Sequence, residues 1–427
     1  MQQLDRRAVK DTHCRRCHVR MFLGKEKPME IRKSNAVKDR IQDLWKNYLL
    51  STAAQDMLLG EVAEHLYVGN LDFKQMAARG DSYVSSAYVE TGFADDIGEL
   101  AYELCHGGED MAPFSELSDS MTEEEIGDGL FHILVSHIKM YSASDILDNP
   151  YYRKVKVKGK TREGHITLTV NDYLPGELIQ TYHDGFRKED PFAYGEAGFF
   201  DSRVVFPVLL ENGSVWMSVV LSEIESMKEP LEKAKGNVIT YGLGLGYYTF
   251  MASEKEDVDS VTVVELNPHM ISLFKNRLLP QFPHQEKIHI VEGNALTYVK
   301  NQEDGAFDFG FSDFWGGLDD GLFLYLSFAS RTARFRRTIH DYWIENAFID
   351  AYFRPAVMKF LMKKGLGRNV TLLDQGKKVR RICEQFIAFL DREPLSVDRE
   401  EDIYRLLDTK TLVSLVRKFA SENVESW

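Results

Sequence analysis

The chain has 427 residues, 44% hydrophobic and 28% charged, which is the balance of a folded protein of two or three domains and excludes a disordered or collagen-like one. Its 66 Asp and Glu against 52 Lys and Arg give a net charge of -14, which disfavours nucleic acid or an anionic membrane as a partner of the whole molecule. Four scattered cysteines make no disulfide framework, the first ten residues have no secretory apolar core, and no apolar run reaches the ~18 residues of a spanning helix, so a soluble cytoplasmic protein is expected.

Residues 1–148 are expected to be a helical N-terminal region. Near its start, His13-Cys14-Arg15-Arg16-Cys17-His18 holds the Cys-x-x-Cys-His spacing of haem attachment and four zinc-type ligands. With no export signal and no second ligand cluster to pair with Cys14, Cys17 and His18, no metal is assigned. One helix is predicted over Ala36 to Leu50, with Ile41, Leu44, Trp45 and Leu49 on one side. Another begins at Thr122, where Glu125 completes a capping box, and the spacing of Ile126, Leu130, Ile133, Leu134, Ile138 and Tyr141 carries one apolar stripe through it.

After Asn149-Pro150 the pattern becomes strand-like. Val155 and Val157 alternate with lysines, a polar turn follows from Gly159 to Gly164, and His165 to Val170 resumes strand composition. Farther on, Arg203 to Leu210 and Val215 to Val220 flank Asn212-Gly213, which suits a type I′ hairpin turn. Residues 149–222 are therefore expected to form a small antiparallel β unit, and Ser222 to Lys235 a short connecting helix.

Residues 223–375 carry the chemistry. The apolar strand Asn237 to Tyr241 runs into Gly242-Leu243-Gly244-Leu245-Gly246 and then into a helix start. Such glycines permit a tight turn and a close approach of backbone to ligand. A second strand, Ser260 to Glu265, ends in an acid 23 residues after Gly242, placed to accept hydrogen bonds from ribose hydroxyls. A third, Ile288 to Glu292, leads into Gly293-Asn294-Ala295, and a fourth, Phe307 to Ser312, ends at Asp313. These ends share one edge of an open α/β sheet, where ligands bind. A nicotinamide dinucleotide fits less well, because Gly244 and Gly246 are two apart with Thr249 beyond, whereas its fingerprint is Gly-x-Gly-x-x-Gly. Asp313 can equally cap the following helix, and Phe314 and Trp315 can equally be core or ligand walls.

The four strand ends resemble the class I S-adenosylmethionine-dependent methyltransferase superfamily and within it the spermidine synthase-like branch, over residues 222–330. The resemblance implies a Rossmann-like domain that binds S-adenosylmethionine. Gly242, Leu243, Gly244 and Gly246 would lie at its methionine part, Glu265 and Leu266 at the ribose, Asn294 and Ala295 at the adenine, and Asp313 at the reacting centre. Three positions depart from the pattern. Thr240 replaces the acid many methyltransferases carry before the first glycine, and Leu245 and Gly316 stand where spermidine synthases have acids, which argues against a polyamine acceptor.

Residues 376–427 are expected to be a helical extension, and Asn369 to Leu373 one weak further strand. From Arg331 to Arg381 there are 13 Lys or Arg against four acids. Arg331 and Arg334, three apart on a predicted helix, suggest a clamp for an anion. The expectation is methyl transfer to a small polar or anionic acceptor, with Asp313 as base and Phe314, Trp315, Arg331 and Arg334 at the substrate. Aminopropyl transfer, or a nucleoside sensor or scaffold without turnover, are the alternatives; a homo-oligomer is left open.

Overall fold

The computed structural model describes residues 30–32, 34–182, 186–188, 191–192, 196–372 and 376–423. The Cys14, Cys17 and His18 cluster lies outside them. At the centre is a five-stranded parallel sheet whose order is Ile288–Glu292, Val258–Glu265, Gly236–Tyr241, Phe309–Ser312, Ile339–Tyr342. The chain lays down the strand Gly236–Tyr241, builds outward to one side, then crosses to the other, which is a Rossmann-like winding. Val238, Ile239, Val261, Val263, Phe309 and Phe311 are fully buried, as a sheet covered on both faces requires.

The direction of winding reverses between Gly236–Tyr241 and Phe309–Ser312, and backbone pairing continues past the strand ends there. The amide of Gly242 donates to Val264 (2.9 Å), that of Asp313 to Tyr241 (2.8 Å), that of Gly293 to Glu265 (2.8 Å) and that of Trp343 to Ser312 (2.9 Å). The residues after the strands thus stand in one row: Gly293, Glu265, Gly242, Asp313, Trp343. At about 4.8 Å per strand, the row is about 19 Å long.

The fifth strand, Ile339–Tyr342, falls inside the basic segment, and Asn369 to Leu372 form no strand. The helix from Glu123 has its capping box at Thr122 and Glu125 but stops at His137. Ile138–Tyr141 is instead a strand, paired in parallel with Ala197–Phe200. Strand pairing overrides the helical stripe there, and Ile138 is fully buried in the strand. The first helix runs well past Leu50, over Asn35–Ala63.

A four-stranded antiparallel sheet is made by Thr161–Glu163, Ile166–Tyr173, Val204–Glu211 and Ser214–Ser218 in that order. Its hairpin turn has positive φ at both Asn212 (51°) and Gly213 (91°). Val155 and Val157 form no strand and follow the short helix Pro150–Lys154, while the segment expected as a polar turn contains the strand Thr161–Glu163. Two short helices, Leu221–Ser226 and Lys228–Lys233, join this sheet to the central one.

The N-terminal and C-terminal helices are not separate layers. Asn35–Ala63 packs against Arg354–Leu361 and Glu400–Leu407, and Glu30–Ile31 pairs in parallel with Ser396–Val397. Val37, Ile41, Leu44 and Leu49 share one core with Phe360, Phe386, Leu407 and Phe419.

Candidate functional site

A cavity of about 410 Å³ opens along the row of strand ends, a size suited to a small molecule. The central sheet lends it Gly242, Leu243, Gly244, Glu265, Leu266, Asn294, Ala295, Asp313, Phe314 and Trp315, so most of the residues expected at a ligand are brought together. Gly246 is not among the lining residues; it takes a left-handed conformation (φ 73°) at the start of the helix Tyr247–Ser253, packed against Phe274. The glycine loop is held from outside by Tyr151, whose hydroxyl donates to the carbonyl of Leu245 (2.7 Å), and by Asn149, bonded to the Tyr247 hydroxyl (3.0 Å).

Arg331 and Arg334 are not brought to the cavity. Arg331 turns back along its own helix to the carbonyl and hydroxyl of Ser327, and Arg334 donates to the carbonyls of Val299 and Gln302. Arg334 thereby satisfies carbonyls at the end of the helix Ala295–Asn301, and with both guanidiniums turned to these partners the anion clamp expected from their spacing does not form.

The other wall comes from elements that carry no motif. Trp216 and Met217, on the edge strand Ser214–Ser218, cover the glycine loop, with the amide of Leu245 3.1 Å from the Met217 sulfur. Glu223 enters from the helix Leu221–Ser226 and Trp343 from the end of the fifth strand. A short relay fixes these two: the Trp343 indole N–H donates to the Ser226 hydroxyl (3.0 Å), which donates to the backbone carbonyl of Glu223 (3.0 Å). Sequence reasoning missed both residues. The only available signal for Trp343 was an aromatic just after a short β-type run, and for Glu223 there was none.

Charge along the cavity is of one sign. Among the described lining residues are Glu211, Glu223, Glu265 and Asp313, and no Lys, Arg or His. Glu265 accepts from the amides of Asn267 (2.7 Å) and Leu243 (3.0 Å); burial pushes its carboxyl up, against the opposing pull of these amides. Asp313 is pushed up to about 7, first by burial and then by the Glu265 charge. Glu223 is pushed well above the ordinary carboxylate range by burial and by the Asp313 charge, and its Oε2 is cut off from solvent without a hydrogen-bond partner. Three carboxyls therefore crowd one part-buried site, an arrangement that costs stability unless a ligand uses it.

No protein-family model matches the chain, and no curated protein does. Among solved structures it is similar to a probable spermidine synthase from Corynebacterium glutamicum (14% identity, TM-score 0.26, 42% of this chain and 60% of that one). It is likewise similar to a spermidine synthase in complex with the transition-state analogue AdoDATO (14%, 0.26, 41% and 52%) and to the spermidine synthase from Thermotoga maritima (15%, 0.24, 36% and 59%). The chain thus spans between half and three-fifths of the length of these proteins. Likeness of this degree carries no functional weight. Fold and site together define a Rossmann-like protein with an acidic pocket at its switch point, and among the described residues no helix is long and apolar enough to cross a membrane.

Proposed function

We propose that the pocket binds S-adenosylmethionine and that the protein transfers an alkyl group, in the first instance methyl, to the nitrogen of an amine. The observation that carries this reading is the lining of four carboxyls without one cationic side chain among the described residues, a surface that favours cations such as a sulfonium or an ammonium. It displaces the expectation of an anionic acceptor.

The residues fit such a nucleoside. Each Glu265 oxygen accepts one backbone bond and keeps a lone pair for a ribose hydroxyl. Asn294, Ala295 and Leu296 border the end of the row away from Asp313, where the base would lie, and the buried unpartnered oxygen of Glu223 waits at the other end. When bound, S-adenosylmethionine would supply an electrophilic carbon on its sulfonium, the carbon–sulfur bond giving way as the amine nitrogen bonded to that carbon. Asp313, near neutrality in its proton affinity, is suited to take the proton an ammonium must lose before it attacks. The sheet edge and the Met217 wall hold the partners in line and keep water out.

Aminopropyl transfer is the second reading. It is favoured by Glu223, which supplies beside Asp313 the second carboxyl missing at Gly316; Leu245 is fully buried and does not line the cavity, so the absence of an acid there has no bearing. Incubation with S-adenosylmethionine or its decarboxylated form and a mixture of amines, with mass detection of the nucleoside product, decides between them. S-adenosylhomocysteine is expected. Methylthioadenosine would establish the second reading, and binding of neither nucleoside by calorimetry would sink both.

A further inference from the structure

An amine acceptor can be of several kinds, and the pocket discriminates among them. Its four carboxyls are not equally available. Glu265 is engaged by two backbone amides, and Glu211 sits at the rim 3.2 Å from the His165 imidazole. The pair left for a ligand is Glu223 and Asp313. Two carboxyls that line one part-buried cavity resist a second ionisation, because it would add a like charge nearby. The raised proton affinities of both agree.

Its surroundings are aromatic. Trp216, Trp315 and Trp343 line the same cavity, three of the five tryptophans in the chain, together with Met217. Trp343 has already given its N–H to Ser226, which leaves ring surface for a ligand. Trp216 is about half exposed (47%) on an edge strand, a position where burial of the chain's own core does not hold it.

We propose, on the footing of the amine-acceptor reading, that Glu223 and Asp313 form an ammonium clamp and that the acceptor is a monoamine with an apolar or aromatic arm lying against Trp216, Trp343 and Met217. An extended polyamine brings two or more ammonium groups and would bury at least one against indole and thioether without a carboxylate, which is costly. A monoamine places its one charge on the clamp and gains apolar ring contact from the walls.

Calorimetry tests this on the full chain, first with S-adenosylhomocysteine alone and then, in its presence, with phenethylamine and with putrescine. Phenethylamine should bind at least about tenfold more tightly than putrescine. Glu223→Gln, which keeps the shape of the side chain, should weaken phenethylamine at least about tenfold, and retained S-adenosylhomocysteine binding by that variant would show its pocket intact. Trp216→Ala should shrink the preference to about threefold or less. Putrescine binding as tightly as phenethylamine, or Glu223→Gln without effect on the amine, would overturn the clamp while leaving the nucleoside site standing. Failure of S-adenosylhomocysteine to bind at all would remove the function proposed above and the clamp with it.

Discussion

A methyl group placed on Gly242 would lie 1.6 Å from the backbone carbonyl oxygen of Asp313. The two residues close adjacent strands at the switch point, so the absence of a side chain at Gly242 lets the strand ends meet. Its φ of 102° is also one that L side chains rarely adopt. Gly242→Ala should lose at least about 2 kcal/mol of stability, and nucleoside affinity with it. Urea unfolding reads the first; an unchanged midpoint would contradict this packing. At Gly244 the added carbon meets the Met217 sulfur at 2.1 Å, the mobile end of a flexible side chain. Gly244→Ala should therefore be the milder of the two.

Glu265 ties the glycine loop to the start of the next helix through the amides of Leu243 and Asn267. In Glu265→Gln one oxygen becomes an NH₂ group that faces a donor, so one of these bonds is lost and an amide left unpaired. A loss of about 1–3 kcal/mol of stability is expected, together with at least about tenfold weaker S-adenosylhomocysteine binding. Full retention of nucleoside affinity would show that Glu265 only braces the loop.

The raised proton affinities give a pH dependence of definite sign. Asp313 holds its proton in the folded state up to about pH 7, whereas the unfolded chain releases it near 3.8, and Glu223 is shifted in the same direction. Between those limits the folded state binds more protons than the unfolded one, so stability falls as pH rises from about 4 to about 7. Asp313→Asn should remove that loss and leave the ligand-free variant more stable than the parent at pH 8, by about 2–4 kcal/mol, and less so at pH 5. Urea midpoints of both proteins at the two pH values check it; a gap that does not change with pH would refute it.

Arg334 supplies a contrast. Its guanidinium caps carbonyls at the end of Ala295–Asn301, so Arg334→Ala should cost about 1–2 kcal/mol of stability and leave S-adenosylhomocysteine affinity unaltered. Thermal unfolding and calorimetry on one preparation test both halves. A fall in affinity without a fall in stability would show that Arg334 acts at the nucleoside site and does not brace the helix end.

Legibility from the residues alone divides along a physical line. Gly242, Glu265, Asn294 and Asp313 each stand at or just past the end of an apolar strand, where the local pattern announces both the strand and the residue that leaves it. Ile339–Tyr342 breaks that pattern, because His340 and Asp341 are polar and yet buried. Asp341 accepts there from the Lys233 ammonium (2.8 Å), and no local window contains that partner. Glu223 sits in a stretch with Glu225, Glu229 and Glu232, and composition does not distinguish the one that turns inward. Its place is set by the Ser226 to Trp343 bond, which joins residues far apart in sequence. The strand Ile138–Tyr141 was hidden for the same reason: its partner, Ala197–Phe200, lies well downstream.

The shared core of the first and last helices bears on how the chain must be made. The helix Asn35–Ala63 leaves the ribosome long before Arg354–Leu361 and Glu400–Leu407, which pack against it. Everything that lines the pocket is already synthesised by Trp343, so a nascent chain can close its central sheet and pack its first helix on Glu123–His137 while the part of that helix that meets the C-terminal helices is still uncovered. Such long-range closure slows folding and prolongs the exposure of sticky surface. The C-terminal helices, none of whose residues lines the pocket, therefore act as the latch that ends this interval.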